Sequence, residues 1–293
     1  MNPPTGLRHD TAAFAALPAT ASSLRWFGRL LCAFVRREYL EASRYRAAFL
    51  TRLLAVAASG LSLWFFSRFV GASANQHLAV YGGDYFAFGL CGLVAVDLQQ
   101  IGVGSLANRV RMSQLTGSLE AQFGTPAPAW LVLGALPAYE IVVAVARAAL
   151  YLLCGALLFG VSFRPHAGSL LLGVPLLLLA FAGIGLGAAA ITMVVRRSNP
   201  VGVILGGASA LLCGVVYPVS VLPPWLRDVG RFLPLTHGLE VVRRGLLLGD
   251  SPTQLAGPLL ALSGFAVVFT LSGTALFSWA LRRARIDGSL SQF

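Results

Sequence analysis

Three polar residues stand close together inside an otherwise apolar run: Asp97, Gln99 and Gln100, within residues 84–104. Farther along, Glu140 and Arg147 lie in a second apolar run. A carboxylate in such a setting can shuttle a proton, hold a cation or pair with an arginine. No catalytic spacing joins these residues to one another. His9, His77, His166 and His237 are scattered, and none stands at metal-ligand spacing from a cysteine or carboxylate. No GxSxG nucleophile elbow is present. The chain also has no lysine; all 22 basic residues are arginine. A Walker A loop needs its lysine against the phosphates, so this chain is not a P-loop ATPase. Lysine Schiff-base chemistry is excluded for the same reason.

The composition says what holds these residues. Of 293 residues, 57% are hydrophobic and 11% charged. A soluble domain carries about 25% charged residues. The net charge of +11 comes from arginines that flank apolar runs, as the positive-inside rule expects of a membrane protein. No basic stripe with interleaved aromatics points to nucleic acid. Cys32, Cys91, Cys154 and Cys213 stand singly, mostly inside apolar runs, and read as small packing residues.

The expected architecture is an all-α integral membrane protein. Residues 1–23 read as a cytoplasmic tail. Residues 24–46 form an amphipathic, basic helix at the membrane surface, with Leu24, Phe27, Leu31, Phe34 and Val35 at helical spacing. The membrane domain covers 47–285, with about six spans of roughly 20 residues. They fall at 48–70, 84–104, 140–159, 169–195, 201–221 and 255–281, and 286–293 form a second tail. Residues 105–128 read as a polar interruption. Residues 130–139 are either an interfacial piece or the start of a tilted third span. Pro223-Pro224 and Pro234 delimit two short apolar-faced helices before the last span, each too short to cross and expected to dip into one leaflet. Their arginines, Arg227, Arg231, Arg243 and Arg244, are expected to face headgroups. The arginine balance favours both termini on the cytoplasmic side of an inner membrane.

Within this frame Asp97 is expected to face protein, because a carboxylate facing lipid at a helix centre costs roughly 2.5–3.5 kcal/mol. Arg147 or Arg52 could meet it. The set Asp97, Gln100 and Arg147 reads as a step on a transport path or as a buried ion pair. Gly202 and Gly206 form a GxxxG that lets a second helix approach closely.

Two stretches carry a family resemblance. TGSLEAQFGTPAP at 116–128 and YPVSVLPPWLRDVGRFLPLTHGLEVVRRGLLLG at 217–249 resemble the permease subunits of ABC-2 type exporters, as does the RRSNP turn at 196–200. Departures are small: Ser118 where threonine is usual and Tyr217 where phenylalanine is usual. The resemblance covers about 25–285. It implies a dimer of six-helix subunits, a homodimer in the simplest case, above two cytoplasmic ABC ATPase subunits. It implies a coupling helix built from Asn108, Arg109, Arg111, Thr116, Ser118 and Glu120. It further implies that spans two and five line the path at the dimer interface, with Gly202 and Gly206 at that contact. The chain itself would hold no cofactor; ATP and Mg would be bound by the partner ATPase. Spans two and five offer only Tyr85 and Tyr217 as polar aromatics, which favours a drug, lipid or other amphipathic substrate over a sugar path. Two other classes remain: an ion-coupled secondary transporter, which would need internal repeats and coupling carboxylates, and a non-transporting membrane assembly protein. The missing lysine makes one expectation direct. The purified chain alone should show no ATP binding by equilibrium dialysis, and measurable binding would refute it.

Overall fold

The structure is a computed structural model that describes residues 46–70, 76–115, 138–195 and 200–286. The surface helix at 24–46 (Arg46 apart), residues 130–137, most of the RRSNP turn, the tail after Ile286, and Thr116, Ser118 and Glu120 lie outside the described residues. Among the described residues the chain is helical and has no strand.

Helix α1 spans Arg46–Val70, and a 3-10 turn, Gln76–Tyr81, leads to α2, Tyr85–Leu115. Helices α3, Ala138–Phe159, and α4, Ala167–Val195, follow. Then come α5, Pro200–Leu212, a short turn at Val219–Val221, α6, Pro224–Gly230, and α7, Pro234–Arg243. α7 runs into a π-helical turn, Arg244–Leu248, and α8 spans Ala256–Ile286. Four of these, α2, α3, α4 and α8, are long and apolar enough to cross a membrane. The apolar stretches at 54–70 in α1 and 201–212 in α5 are shorter.

The helices alternate in direction. The starts of α2, α4 and α8 gather at one end of the bundle, with α6 and α7. This far end is tied together by main-chain bonds from Arg164 N to Leu246 O and from His166 N to Gly245 O. The near end holds the ends of α2, α4 and α8, where Gln114 Nε2 donates to Met193 O at 3.3 Å.

α2 begins where Asp84 caps it: its Oδ1 accepts from the amides of Phe86 at 2.9 Å and Ala87 at 3.3 Å. The helix then runs unbroken past residue 104, where the sequence turns polar. The reason lies in the stripe of Val103, Leu106, Ala107 and Val110, all buried. That spacing keeps one apolar face against Ala189 and Met193 of α4, and no Gly or Pro from Ser105 to Leu115 stops the helix. The polar stretch therefore begins as about three further turns of α2 rather than as a loop.

α5 departs the other way. An apolar run to residue 221 reads as a full span, yet the helix stops at Leu212. Gly214 adopts a left-handed conformation, φ 69°. Pro218 has no N–H to bond Gly214 O, so a helix could not continue through this point.

α4 is the central element, wedged between α8 and α2. Its GIGLG segment puts Gly183 and Gly185 on opposite sides. A Cβ at Gly183 would run into the main chain of Phe269 and Thr270 on α8, and one at Gly185 into Gly102 O on α2. Gly273 of α8 answers Gly183 in the same way. Replacing Gly183 by alanine should therefore lower stability by about 1–3 kcal/mol through overpacking. Gly264→Ala, with nothing within 4 Å of the new carbon, serves as the control. Thermal unfolding in detergent should separate the two; equal melting temperatures would contradict the crossing.

Candidate transport site

The polar residues of α2 point in different directions because successive helical residues are about 100° apart. Asp97 faces α3, where Arg147 Nε donates to its Oδ2 at 2.8 Å. Both side chains are about one-quarter exposed (23% for Arg147, 24% for Asp97). Gln99 faces α5 and is buried. Its Nε2 donates to Ser209 Oγ at 2.9 Å and to Leu205 O at 3.3 Å. Gln100 is exposed, and a Cβ on Gly206 of α5 would lie 2.7 Å from its Nε2. Asp97 is thus neutralised between two helices, while Gln100 is the polar group that this part of α2 leaves open.

A second ion pair joins the same two helices toward the near end. Arg109 Nε lies 3.4 Å from Glu140 Oε1. Asn108 and Met112 are exposed there, and Arg111 is half-buried. Of the GxxxG pair, Gly206 makes a close approach to Gln100 of α2 in the same chain. Gly202 is half-buried. The outward face of α5 is instead apolar: Val203, Ile204 and Leu211 are 77%, 71% and 65% exposed.

The far end holds a residue whose importance the sequence hid. Arg243 is only 2% exposed, so it does not face headgroups as expected. Its Nη1 donates to Gly214 O at 2.9 Å, its Nη2 to Val215 O at 2.8 Å and its Nε to Phe88 O at 3.3 Å. Its guanidinium carbon lies 3.4 Å from the centre of the Phe88 ring and 5.9 Å from that of Tyr81. Arg244 does reach carboxylates, Asp250 at 2.6 Å and Glu240 at 3.5 Å. Arg227 is turned to Ser220 O and Leu222 O. Arg231, on the surface, pairs with Asp228. Tyr81 Oη donates to Glu240 Oε2 at 2.9 Å. Burial first, then the Glu240 charge, pushes the Tyr81 phenol up to about 12, so this donor keeps its proton at any physiological pH. A signal for Arg243 existed: it shares the stripe of Leu239, Val242 and Leu246, a core position on α7.

The two candidate path tyrosines are also committed. Tyr85 Oη donates to Val216 O at 2.7 Å and the residue is 7% exposed. Tyr217 Oη donates to Leu211 O. Cys91 and Cys213 are buried and free, and Cys154 is half-buried; Cys32 lies outside the described residues. Among the described residues, no group of three or more His, Cys, Asp or Glu could hold a metal ion.

A family model described as ABC-2 type transporter matches residues 29–247, well over half of the chain. The chain belongs to the ABC-2 type transporter family. Its match ends at Leu247, in the π-helical turn, so it takes in α1 to α7 and stops before α8. A search of curated proteins finds no match. As an ABC-2 type permease the chain is a multi-pass membrane component of a transport system, not a catalyst, and such permeases work with an ABC ATPase. In this permease two ion pairs, Asp97–Arg147 and Arg109–Glu140, link α2 to α3.

A double-mutant cycle tests that seam. Asp97→Asn should destabilise the permease by about 1–3 kcal/mol by leaving Arg147 half-buried and unpaired. Adding Arg147→Gln should recover part of the loss, with a coupling of about 1 kcal/mol by thermal or denaturant unfolding. Strict additivity would show that the pair contributes nothing.

Proposed function

We propose that this chain is the transmembrane subunit of an ATP-driven exporter that moves a hydrophobic or amphipathic substrate, such as a drug, a lipid or a lipid-linked glycan. The observation that carries this reading is the surface shared by α2 and α5. On α5 it presents Val203, Ile204 and Leu211 outward, and on α2 the exposed amide of Gln100 against Gly206. The hydroxyl protons of Tyr85 and Tyr217 are committed to main-chain carbonyls and are not free to donate to a sugar. Asp97 is held by Arg147, which leaves no free carboxylate there for ion coupling.

Six crossings complete the unit in this reading: the four long helices, with α1 and α5 added. α1 has 25 residues, about 37 Å by helical rise, enough for a bilayer core of about 30 Å. α5 has 13 residues, about 20 Å, and the extended chain through Pro218 makes up the rest. α6 and α7 dip into the leaflet at the far end. The outward face of α5 meets a second copy of the chain, and the path runs between them. The near end faces the cytoplasm of an inner membrane, since Arg109, Arg111, Arg196, Arg197, Arg282, Arg283 and Arg285 gather there in sequence. Two ATPase subunits, holding ATP and Mg, dock below, against the last turns of α2 and the segment of Thr116, Ser118 and Glu120.

Met112 tests the docking role. It is 59% exposed in the last turns of α2. Proline there removes a helix hydrogen bond and clashes with the preceding turn, at about 3 kcal/mol. Met112→Pro should insert and co-purify as folded permease, yet lose substrate-stimulated ATP hydrolysis when reconstituted with the ATPase. Unchanged stimulation in the folded variant would reject the docking role.

A further inference from the structure

Three successive carbonyls after α5, those of Gly214, Val215 and Val216, are each met by a side chain. Arg243 of α7 serves the first two and Tyr85 of α2 the third. The helix that should have satisfied them is broken, because Pro218 brings no N–H to Gly214 O. Arg243 stands in for the missing donors. Its third bond, to Phe88 O, reaches into α2, so one guanidinium joins α7, α2 and the end of α5. The seat is close. A Cβ on Gly92 of α2 would run into Val215 O and lie 3.2 Å from Arg243 Nη2. No carboxylate is hydrogen-bonded to Arg243 among the described residues. Glu240, one turn before it, is taken by Tyr81 and Arg244. The cation is therefore held by neutral carbonyls and ring faces, which another arrangement of the same carbonyls could replace.

From this we infer that Arg243 and Tyr85 are positioning residues that clasp the far end of α5 against α2, and that transport requires the clasp to release. With the clasp shut, the surfaces of α2 and α5 that border the path are fixed to one another at the far end. With it open, residues 213–218 lift from Gly92 and the two helices separate there. The nucleotide-driven release rests on the exporter reading; the clasp itself does not.

Spin labels at Val80 and Val221, both exposed, measure the distance across this end in the permease held in nanodiscs. Wild type should be dominated by one short distance at rest. A second, longer distance should appear when the complex with its ATPase is trapped with ATP and vanadate. Tyr85→Phe deletes a single bond and should raise the resting long-to-short ratio about fivefold. Arg243→Lys keeps the charge but loses the fork that reaches separate carbonyls, and should raise it about a hundredfold or more, on the order of the loss of two charged hydrogen bonds. Should Arg243→Lys fail to insert, Tyr85→Phe decides. Resting distances equal to wild type in every variant that inserts would overturn the clasp. So would a wild-type complex that hydrolyses ATP and keeps its resting distance when trapped. A complex with no hydrolysis rejects the exporter reading instead, while the resting distances of the variants still judge the clasp.

Discussion

Main chain touches main chain where α4 crosses its neighbours, and much of the bundle hangs on that closeness. Lipid tails are as apolar as leucine, so membrane helices gain little from hiding side chains from one another and depend on packing and hydrogen bonds. Gly183 with Gly273 and Gly185 with Gly102 remove the side chains that would hold α4 away from α8 and α2. Once α4 is seated, Phe181 and Leu177 become fully buried on its inner face. Gly238 of α7 then packs on Leu177, and Gly173 of α4 receives Val241. The short helix α7 thus borrows its position from α4 and delivers Arg243 to the break after α5.

The polar groups follow from the same constraint. Every charge placed among these helices must find a partner inside the protein. Asp97 finds Arg147, Arg109 finds Glu140, and Arg243 finds carbonyls that a broken helix has left unsatisfied. Gln100 stays open on the surface beside α5.

Long apolar segments were the most legible part of the sequence. Helices α3, α4 and α8 lie where hydropathy places a span, with starts shifted by one or two residues. The end of α2 was obscured because Ser105, Asn108, Arg109 and Arg111 make the stretch look like a loop. Its helical stripe, 103, 106, 107 and 110, carries the true signal. The end of α5 was obscured for the opposite reason. Residues 213–221 are nearly all apolar, and only Gly214 and Pro218 mark the break. Arg243 was read by its charge, as a headgroup-facing residue, whereas its place on the apolar stripe of α7 is what puts it inside. The partner of Asp97 had two candidates by cost alone, and only the packing of α2 on α3 distinguishes Arg147.

The two ion pairs between α2 and α3 also bear on how the chain enters its membrane. α2 carries its acid before its base, Asp97 then Arg109, while α3 carries Glu140 and then Arg147. Laid antiparallel, the signs match at both levels; with the two helices run parallel, like charges would meet, and with them slipped the pairs would part. Either helix inserted alone would expose an unpaired charge to hydrocarbon, whereas the hairpin presents two neutral pairs. Biogenesis of this permease should therefore treat α2 and α3 as one cargo. Arg147 removes the cost that Asp97 would carry in hydrocarbon, and the two pairs favour one register of α2 against α3.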